Sequence, residues 1–467
     1  MKSTQNNSTE NDEVKYSSKI HWSYGIGGFL DSFIITSFNL KVIFFYENEW
    51  LLSITLIGIA FGIYGFWNMI NDPLIGWLSD RRTRFTEKWG RRFPWFIIGA
   101  FSLSLIYILV YTVPSSDQSV MFIWLLIIIL LYEFSYSLWQ ISWLSLMPDK
   151  FRSHKERTKV GAITTIWNII GNTLAFIISP IFITYGNKNS YISAAIVVAI
   201  TLAVFTIFSI PGMKEDKELI SRELRIIEKQ EKERESYWQT IKFAIKEKNF
   251  MSYVVFYLMI QMFTALVIPS VSFWTRYVLE SNEPLVETLI TGSFLIGSII
   301  SIPFWFKFGR KIGNRKVYIY GMFLISILMI PLLFISDIIS SFISIMLIGF
   351  GFGSILIFTY PGFSEVIDDV VVKSGKRKEG IYTGVRTFIG RIAYVSQGLI
   401  FAVVHQLTLY EPGAESQAPL AIWGIRVIMA LIPIICYIIG GLIILFIYDL
   451  TPDKVEMNKK FLMEHNL

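Results

Sequence analysis

Twelve long apolar segments restrict what this chain can fold into. A helix needs about 20 consecutive apolar residues to cross a bilayer, and hydrophobic residues make up 53% of the 467 residues while only 17% are charged. A water-soluble chain of this length would carry more charge. The sequence therefore predicts an all-α membrane protein with twelve transmembrane helices. The predicted spans are 20–46, 51–78, 94–114, 119–147, 159–185, 190–211, 250–279, 283–308, 316–336, 339–366, 380–405 and 418–449.

Lysine and arginine residues are concentrated in alternate loops. The basic loops are 79–93, 149–159, 309–316 and 370–379, whereas the loops on the opposite side contribute only Lys188. Cytoplasmic loops of membrane proteins carry an excess of Lys and Arg, so we predict a multi-pass protein of the cell membrane with both termini in the cytoplasm. Because the basic loops are short and directly join helix ends, they do not indicate a nucleic-acid partner.

A polar segment divides the chain into two pseudo-symmetric six-helix bundles. It is rich in Glu, Lys and Arg, and we interpret it as a solvated, partly amphipathic loop. The pattern basic-x-basic-x-Gly at 157–161 recurs at 376–380, an offset of 219 residues. Parallel repeats of this kind predict a transporter that works by alternating access. The predicted domains are a cytoplasmic tail at 1–19, a bundle at 20–212, a central cytoplasmic loop at 213–248, a bundle at 249–449 and a cytoplasmic tail at 450–467.

The sequence contains little that would support catalysis or a cofactor. Its single cysteine, Cys436, excludes a disulfide, and His21, His154, His405 and His465 are too scattered to predict a metal site. It contains no nucleophile–base motif and no phosphate loop. We therefore predict that the protein is not an enzyme, has no cofactor, and is a monomer whose partners are membrane lipids and a small solute.

Three polar residues share one face of the second span. Asn68, Asn71 and Asp72 stand at positions i, i+3 and i+4 of an apolar helix. A carboxylate and two amides are costly in lipid and usually mark a functional site. This face is therefore the first candidate binding surface.

Two motifs around that face resemble a known transporter family. The stretch GWLSDRRTR at 76–84 resembles the cytoplasmic loop signature of the major facilitator superfamily. NDP at 71–73 together with WGRRFPW at 89–95 is similar to the glycoside–pentoside–hexuronide:cation symporters, the melibiose-permease family. The resemblance covers about residues 22–449 and implies the major facilitator fold with cation-coupled symport of a sugar, glycoside or uronate.

The resemblance also implies a cation site. In the family, the second-span face and a hydroxyl of span four hold the coupling ion, and the matching positions here are Asp72, Asn68, Asn71 and Ser137. One family carboxylate is Asn68 in this chain, so the site carries a single negative charge. This weakens the case for Na⁺ and makes Asp72 a candidate proton carrier. The coupling ion stays open between H⁺ and Na⁺ at Asp72, and a structural ion pair of Asp72 across the bundle is the remaining interpretation.

The sugar-binding positions depart from the family pattern. The span-one aspartate of the family matches Ser32, with Asp31 beside it, and the span-four aspartate matches Gln140. The family's stacking tryptophan matches Leu144, with Trp143 as its neighbour. Asp31, Gln140 and Trp143 rebuild a sugar site only if the helices are turned. A lysophospholipid or another amphiphile as cargo, or an uncoupled facilitator, therefore stays open.

Three further charges lie inside predicted spans. Glu133 shares a face of span four with the positions named above, Arg391 stands where the family has a lysine in span eleven, and Arg386 precedes it by five residues. One interpretation is a pair between an arginine and Glu133 or Asp72 that locks the halves in one state. The other is an arginine clamp for an anionic substrate such as a uronate, because guanidinium binds carboxylate bidentately. The two roles can alternate during transport.

Charged residues near the ends of the spans have different predicted roles. Lys41 and Arg276 are expected to snorkel toward the outer surface. Asp80 is expected to cap or salt-bridge a neighbouring helix end when the cytoplasmic side is closed and to release it on opening. The predicted gate consists of Asp80, Arg81, Arg84, Arg91 and Arg92.

Overall fold

Twelve helices in the computed structural model are long and apolar enough to cross a membrane, which confirms the predicted number of spans. The structure describes residues 16–80, 86–151, 153–221, 237–375 and 379–465, and the described residues contain no strand. We number the spanning helices in chain order. They are α1 Ser18–Glu49, α2 Ile54–Asp80, α3 Phe93–Val110, α4 Gln118–Lys150, α5 His154–Ile181, α6 Lys188–Met213, α7 Lys248–Val278, α8 Pro284–Ile312, α9 Asn314–Leu333, α10 Ile338–Ser374, α11 Ile381–Leu407 and α12 Pro419–Phe446.

Polar caps and glycines set several helix ends. Asp117 caps α4 by accepting from the backbone N–H of Ser119 at 3.0 Å, and Asp337 caps α10 in the same way. Gly375 ends α10 in the left-handed conformation, with φ of 67°. The helix continues beyond the approximate end predicted at 366, because residues 367–374, half of them Ile or Val, extend it to this glycine.

The helix contacts of the first half are repeated in the second. α1 packs on α5 and α6, just as α7 packs on α11 and α12; α2 and α3 pack on α4, just as α8 and α9 pack on α10. Between the halves, α1 contacts α7, α2 contacts α11, and α5 contacts α8. Each of these contacts has a counterpart in which both helix numbers are shifted by six, if the count continues from α12 to α1. The two bundles are therefore related by a pseudo-two-fold axis, as the fold class predicts.

The same irregularity ends α1 and α7. Each helix finishes in a π turn, at Phe45–Glu49 and at Trp274–Val278, and a left-handed non-glycine residue follows. These residues are Leu51, with φ of 56°, and Glu280, with φ of 49°. Both features recur at an offset of 229 residues, so the repeat extends to local backbone geometry.

Glycines bring α2 and α11 into close contact between the halves. A Cβ atom added to Gly58 would lie 2.8 Å from the Cβ of Ala402 and 3.0 Å from the carbonyl oxygen of Gly398. About two turns further along α2, Gly65 lies against Val395 of α11. Small residues let membrane helices approach at backbone distance, and this crossing holds the two bundles together beside the central cavity.

Shorter helices also lie outside the spans, and Thr86–Trp89 is one of them. Tyr237–Lys246 belongs to the predicted central loop, of which 222–236 lies outside the described residues. Pro452–His465 follows α12 and docks on α10. The buried Asp369 accepts hydrogen bonds from Asn458 of this helix at 3.1 Å, from Asn249 at 2.9 Å and from Lys373 at 2.8 Å.

Asp369→Ala is expected to release the C-terminal helix. The substitution leaves two buried amides without their shared acceptor, and each loss costs about 1–3 kcal/mol. Limited proteolysis of the purified protein should then cut between α12 and residue 465 at least tenfold faster. Asp453→Ala, an exposed position of the same helix, is the matched control. Equal cleavage rates for the two variants would contradict the docking role of Asp369.

Candidate cation and substrate site

Asp72 joins the two halves. Its Oδ1 accepts a hydrogen bond from the Ser137 hydroxyl on α4 at 2.7 Å, and its Oδ2 accepts from Arg391 Nη2 on α11 at 2.7 Å. The helical spacing that places Asn68 and Asn71 beside Asp72 completes the group. The structure thus brings together the four residues predicted as a cation site.

Arg391 is shared between two carboxylates. Its second nitrogen, Nη1, lies 3.7 Å from Glu133 Oε1, while Glu133 Oε2 accepts from the Tyr64 hydroxyl at 2.8 Å. Glu133 is fully buried. In this conformation, the predicted pair between an arginine and Asp72 or Glu133 is formed with both carboxylates at once, and it spans the two halves.

Two amide oxygens beside Asp72 have no hydrogen-bond donor. Asn68 Oδ1 and Asn71 Oδ1 are buried and unpaired, while Asn71 Nδ2 donates to the backbone carbonyl of Glu133 at 3.3 Å. An unsatisfied buried acceptor costs free energy unless a donor or a cation reaches it. With the Asp72 carboxylate and the Ser137 hydroxyl, these oxygens form a donor set of the kind that hard cations prefer.

A polar shelf on the first half lies next to this group. Asp31 Oδ1 accepts from the Tyr136 hydroxyl at 2.6 Å and from Gln140 Nε2 at 2.8 Å, and Gln140 also contacts Tyr136. We call Asp31, Tyr136 and Gln140 the polar shelf. Sequence reasoning missed Tyr136, although its position four residues before Gln140 places both side chains on one helix face.

Ser32 and Trp143 lie in helix-packing contacts rather than at the cavity. Ser32 Oγ donates to the backbone carbonyl of Asn168 on α5 at 2.9 Å. The buried Trp143 donates to the carbonyl of Tyr24 at 3.2 Å, with its ring over Gly27. One residue corresponds to about 100° of rotation on a helix, so Asp31 faces the interior while Ser32 faces α5.

Aromatic and polar side chains line a small cavity between the halves. It opens next to the polar shelf, and Arg391 and Glu133 form part of its wall. Its tyrosines were not predicted, since a tyrosine in an apolar span gives no signal distinct from packing. The lining residues are Ile35, Phe38, Asn39, Tyr64, Tyr132, Glu133, Tyr136, Arg391 and Tyr394.

Arg386 stands apart from these ion pairs. It is buried on α11, with its guanidinium carbon 4.1 Å from the ring centre of Phe363 and 4.8 Å from that of Tyr257. Arg386 and Arg391 were predicted as one clamp, but the structure gives them different neighbours.

A buried ion pair closes the outer end, by which we mean the end where α1 finishes and α2 begins. Lys41 Nζ lies 2.7 and 2.6 Å from the two carboxylate oxygens of Glu287 on α8, and each side chain is 1% exposed. Tyr185 and Ser272 also donate to Glu287. The snorkelling expected of Lys41 is therefore wrong, because a carboxylate of the other half neutralises it in place.

A second cluster extends this closure. His405 Nδ1 lies 2.7 Å from Glu47 Oε1, and both residues are buried. Asn48 Oδ1 accepts from the Tyr277 hydroxyl at 2.9 Å and from the Tyr410 hydroxyl. Between residues that the structure describes, the hydrogen bonds that join the halves all lie at the outer end or at Arg391.

The predicted gate residues that the structure describes make contacts within the first half. The Arg91 and Arg92 backbone N–H groups donate to Glu215 at 3.0 and 2.7 Å. Arg92 Nη1 also donates to Ser79 at 2.7 Å, and Arg91 Nη2 lies 3.5 Å from Asp149. Arg81 and Arg84 lie outside the described residues, as does the side chain of Asp80, so their gating role stays a prediction.

Comparison with known proteins identifies the family. The sequence model of the MFS/sugar transport protein family matches residues 23–452. The chain belongs to this family. As an MFS/sugar transport protein with twelve spanning helices, it is a multi-pass membrane transporter and not an enzyme.

Relatives of this MFS/sugar transport protein are named symporters. The uncharacterized symporter YjmB of Bacillus subtilis is 22% identical, with 95% of this chain and 94% of YjmB covered. The sodium-dependent lysophosphatidylcholine symporter 1-B of Danio rerio is 21% identical, with 90% and 86% covered. The putative glycoside/cation symporter YagG of Escherichia coli is 20% identical, with 95% and 94% covered.

A solved structure has the same fold. The crystal structure of the nucleoside transporter NupG superposes with a TM-score of 0.59 at 13% identity, covering 91% of this chain and 98% of NupG. This similarity supports the two-bundle architecture described above.

Proposed function

We propose that this protein is a symporter in which Na⁺ at Asp72 drives the transport of a sugar-like solute. The observation that carries the proposal is the pair of buried, unpaired amide oxygens of Asn68 and Asn71 beside Asp72. A proton on Asp72 would supply a single O–H donor and so could satisfy only one of the two oxygens, whereas a cation can bind both. With the Asp72 carboxylate and the Ser137 hydroxyl, the two amides give four side chains that offer oxygen ligands to a monovalent cation.

Arg391 makes ion binding and conformation interdependent. In the present conformation, Arg391 forms an ion pair with the Asp72 carboxylate. A coupling ion would compete with Arg391 for that carboxylate. Binding of the ion therefore requires Arg391 to withdraw, which removes an ion pair that spans the halves. A ligand that binds one state better shifts the equilibrium toward that state. Ion occupancy at Asp72 thus biases the alternation between inward-open and outward-open forms.

The charge balance of the cavity favours one monovalent ion. The first half contributes the carboxylates of Asp31, Asp72 and Glu133, and the second half contributes Arg386 and Arg391. Counted as ionised, these groups carry one net negative charge. One Na⁺ or one proton neutralises the set before the cargo is counted, which lowers the electrostatic cost of moving the ion-loaded site between states.

The cargo is inferred from the polar shelf and its aromatic neighbours. Tyr136 lines the cavity, and Asp31 and Gln140 add hydrogen-bonding groups directly beside it. Sugar-like solutes combine hydroxyl groups with apolar ring faces, which matches a pocket with few polar groups among aromatic side chains. The relative named as a glycoside/cation symporter supports this cargo.

A lysophospholipid is the second candidate cargo. The relative named as a lysophosphatidylcholine symporter covers 90% of this chain. The aromatic lining would suit an acyl chain as well as a sugar ring. Sequence positions that depart from the sugar-symporter pattern, such as Gln140, favour this candidate modestly.

Ligand-dependent thermal stability and gradient-driven uptake test the proposal. The purified protein should gain stability with methyl glucosides or glucuronate, and the gain should increase with Na⁺ but not with K⁺. In proteoliposomes, an inward Na⁺ gradient should drive accumulation of the stabilising solute. Accumulation driven only by a proton gradient would reject Na⁺ as the ion. Stabilisation by lysophosphatidylcholine alone would reject the sugar.

A further inference from the structure

Arg386 is a buried cation without a counter-charge. It is the sixth residue of the span α11 and is 8% exposed, and its Nε and Nη1 atoms have no hydrogen-bond partner. Among the residues that the structure describes, no carboxylate forms an ion pair with it. A buried charge is costly unless it is paired or bound by a ligand.

Aromatic rings hold the guanidinium by its faces. The rings of Phe363, Tyr257 and Tyr360 have centres 4.1, 4.8 and 6.0 Å from the guanidinium carbon. Cation–π contact of this kind stabilises a desolvated arginine. It does not pair the N–H groups in the guanidinium plane, since these point along the edge and not toward the ring faces, and Nε and Nη1 stay buried without an acceptor. We call Arg386 with these three rings the aromatic cage.

One ring of the aromatic cage is exposed. Tyr360 is 75% exposed, and its ring centre lies 6.0 Å from the guanidinium carbon of Arg386, so the cage borders space that the protein does not fill.

The two arginines of α11 differ in availability. Arg391 already binds Asp72 and lies near Glu133, so an incoming anion would have to displace a carboxylate from it. Arg386 has no carboxylate to lose. An anionic group on the cargo would gain charge-assisted hydrogen bonds at Arg386 without breaking an existing ion pair.

We propose that the aromatic cage is an oxyanion subsite in which Arg386 binds the carboxylate, sulfonate or phosphate of an organic anion carried as cargo. The proposal rests on the transport function proposed above and names a charge class for its substrate. The fork of two N–H groups fits a planar or tetrahedral oxyanion, and the tyrosine and phenylalanine rings exclude water from the contact. Arg391 keeps its separate task of competing with the coupling ion.

Binding of three anions to purified variants tests the subsite. D-glucuronate and glucose 6-phosphate are each compared with methyl glucoside as the uncharged partner. Lysophosphatidylglycerol is compared with lysophosphatidylcholine, which lacks the net negative charge. At least one anion should stabilise the wild type at a concentration about tenfold or more below that needed for its partner. Arg386→Gln should weaken that anion about 10- to 100-fold and leave the partner within about twofold, because only the charge-assisted contact is lost.

Matched variants separate recognition of the anion from folding. Arg310→Gln removes an exposed arginine that also lies over a ring, at 5.5 Å from Phe306, and should leave anion binding unchanged. Arg386→Lys keeps the charge but not the planar fork, so it should bind the anion with intermediate strength. It also provides the comparison if Arg386→Gln does not fold.

The outcomes distinguish this subsite from the transport proposal. Equal binding of anion and partner by the wild type, or unchanged anion binding in Arg386→Gln, would overturn the subsite. If Arg386→Gln loses binding of the anion and of its partner equally, Arg386 acts in packing and the subsite is overturned. If the glutamine variant does not fold, the same result in Arg386→Lys has the same meaning. These measurements use no gradient. Failure of Na⁺- or H⁺-driven uptake would instead overturn the symport proposal and leave anion selectivity in binding intact.

Discussion

Asp72→Asn is expected to abolish ion-driven accumulation while sparing exchange of cargo across the membrane. The asparagine keeps the size of the side chain and its contact with Ser137, but it removes the charge that attracts both the coupling ion and Arg391. A contact to a charged group contributes about 1.5–3 kcal/mol. Each 1.4 kcal/mol corresponds to a factor of ten in affinity, so ion binding should weaken about 10- to 100-fold.

Proteoliposomes provide the readout for this variant. Uptake against a concentration difference should fall to the level of equilibration, whereas counterflow of labelled solute should continue at a rate within severalfold of wild type. Asp453→Asn, an exposed aspartate of the C-terminal helix, is the control and should accumulate normally. Undiminished accumulation by Asp72→Asn would remove Asp72 from the coupling site. Loss of counterflow as well would indicate that its ion pair with Arg391 is needed for any conformational cycle.

Lys41→Met is expected to open the outer end. The substitution leaves Glu287 buried and without its cation, and breaking a buried pair in this way costs about 3–5 kcal/mol. The cost is borne only by the conformation in which α1 and α8 are in contact. At 1.4 kcal/mol for each factor of ten, the equilibrium between closed and open outer ends should shift more than a hundredfold.

A single cysteine inside the cavity reports this shift. Cys436→Ser first removes the only cysteine of the chain. In this background, Asn39→Cys places a thiol in the wall of the cavity, two residues before Lys41. A membrane-impermeant maleimide added at the outer side should label it much faster in Lys41→Met. Lys188→Met removes an exposed outer lysine lying 3.8 Å over the Trp50 ring and should not change the rate.

A double variant tests the charge explanation. Lys41→Met combined with Glu287→Gln leaves no unpaired charge in the contact, so closure and slow labelling should largely return. Rapid labelling in the double variant would show that packing by the lysine chain, and not neutralisation of Glu287, holds the outer end closed. Slow labelling in the single variant would show that the ion pair does not contribute to closure.

The sequence was sufficient for the spans, the family and the polar face of α2. Each follows from local information: apolar length for the spans, the motifs within residues 71–95 for the family, and the i, i+3, i+4 spacing of Asn68, Asn71 and Asp72 for the polar face. Asp31 and Gln140 were predicted to form a site only if the helices are turned, and the structure brings these two side chains into contact. Their assignment to ion and cargo remains a prediction that the experiments above address.

The sequence predicted one contact between distant segments, the pair of an arginine with Asp72 or Glu133, but it did not predict the pair at the outer end. Lys41 and Glu287 are 246 residues apart, and nothing in either helix identifies the other as its partner. A lysine near a helix end therefore suggested snorkelling, whereas the structure buries it against a carboxylate. The rotation of α1 was a similar problem, because Asp31 and Ser32 differ by a single step around the helix and only packing on α5 decides which one faces inward.

The matching ends of α1 and α7 preserve evidence of ancestry. A left-handed residue other than glycine costs about 1–2 kcal/mol, yet Leu51 and Glu280 both adopt this conformation after a π turn, 229 residues apart. Such a costly irregularity in one register of both halves indicates duplication and fusion of a six-helix ancestor. The cavity lies where the two copies meet, and there the copies now differ: Glu133 of the first half faces Arg391 of the second.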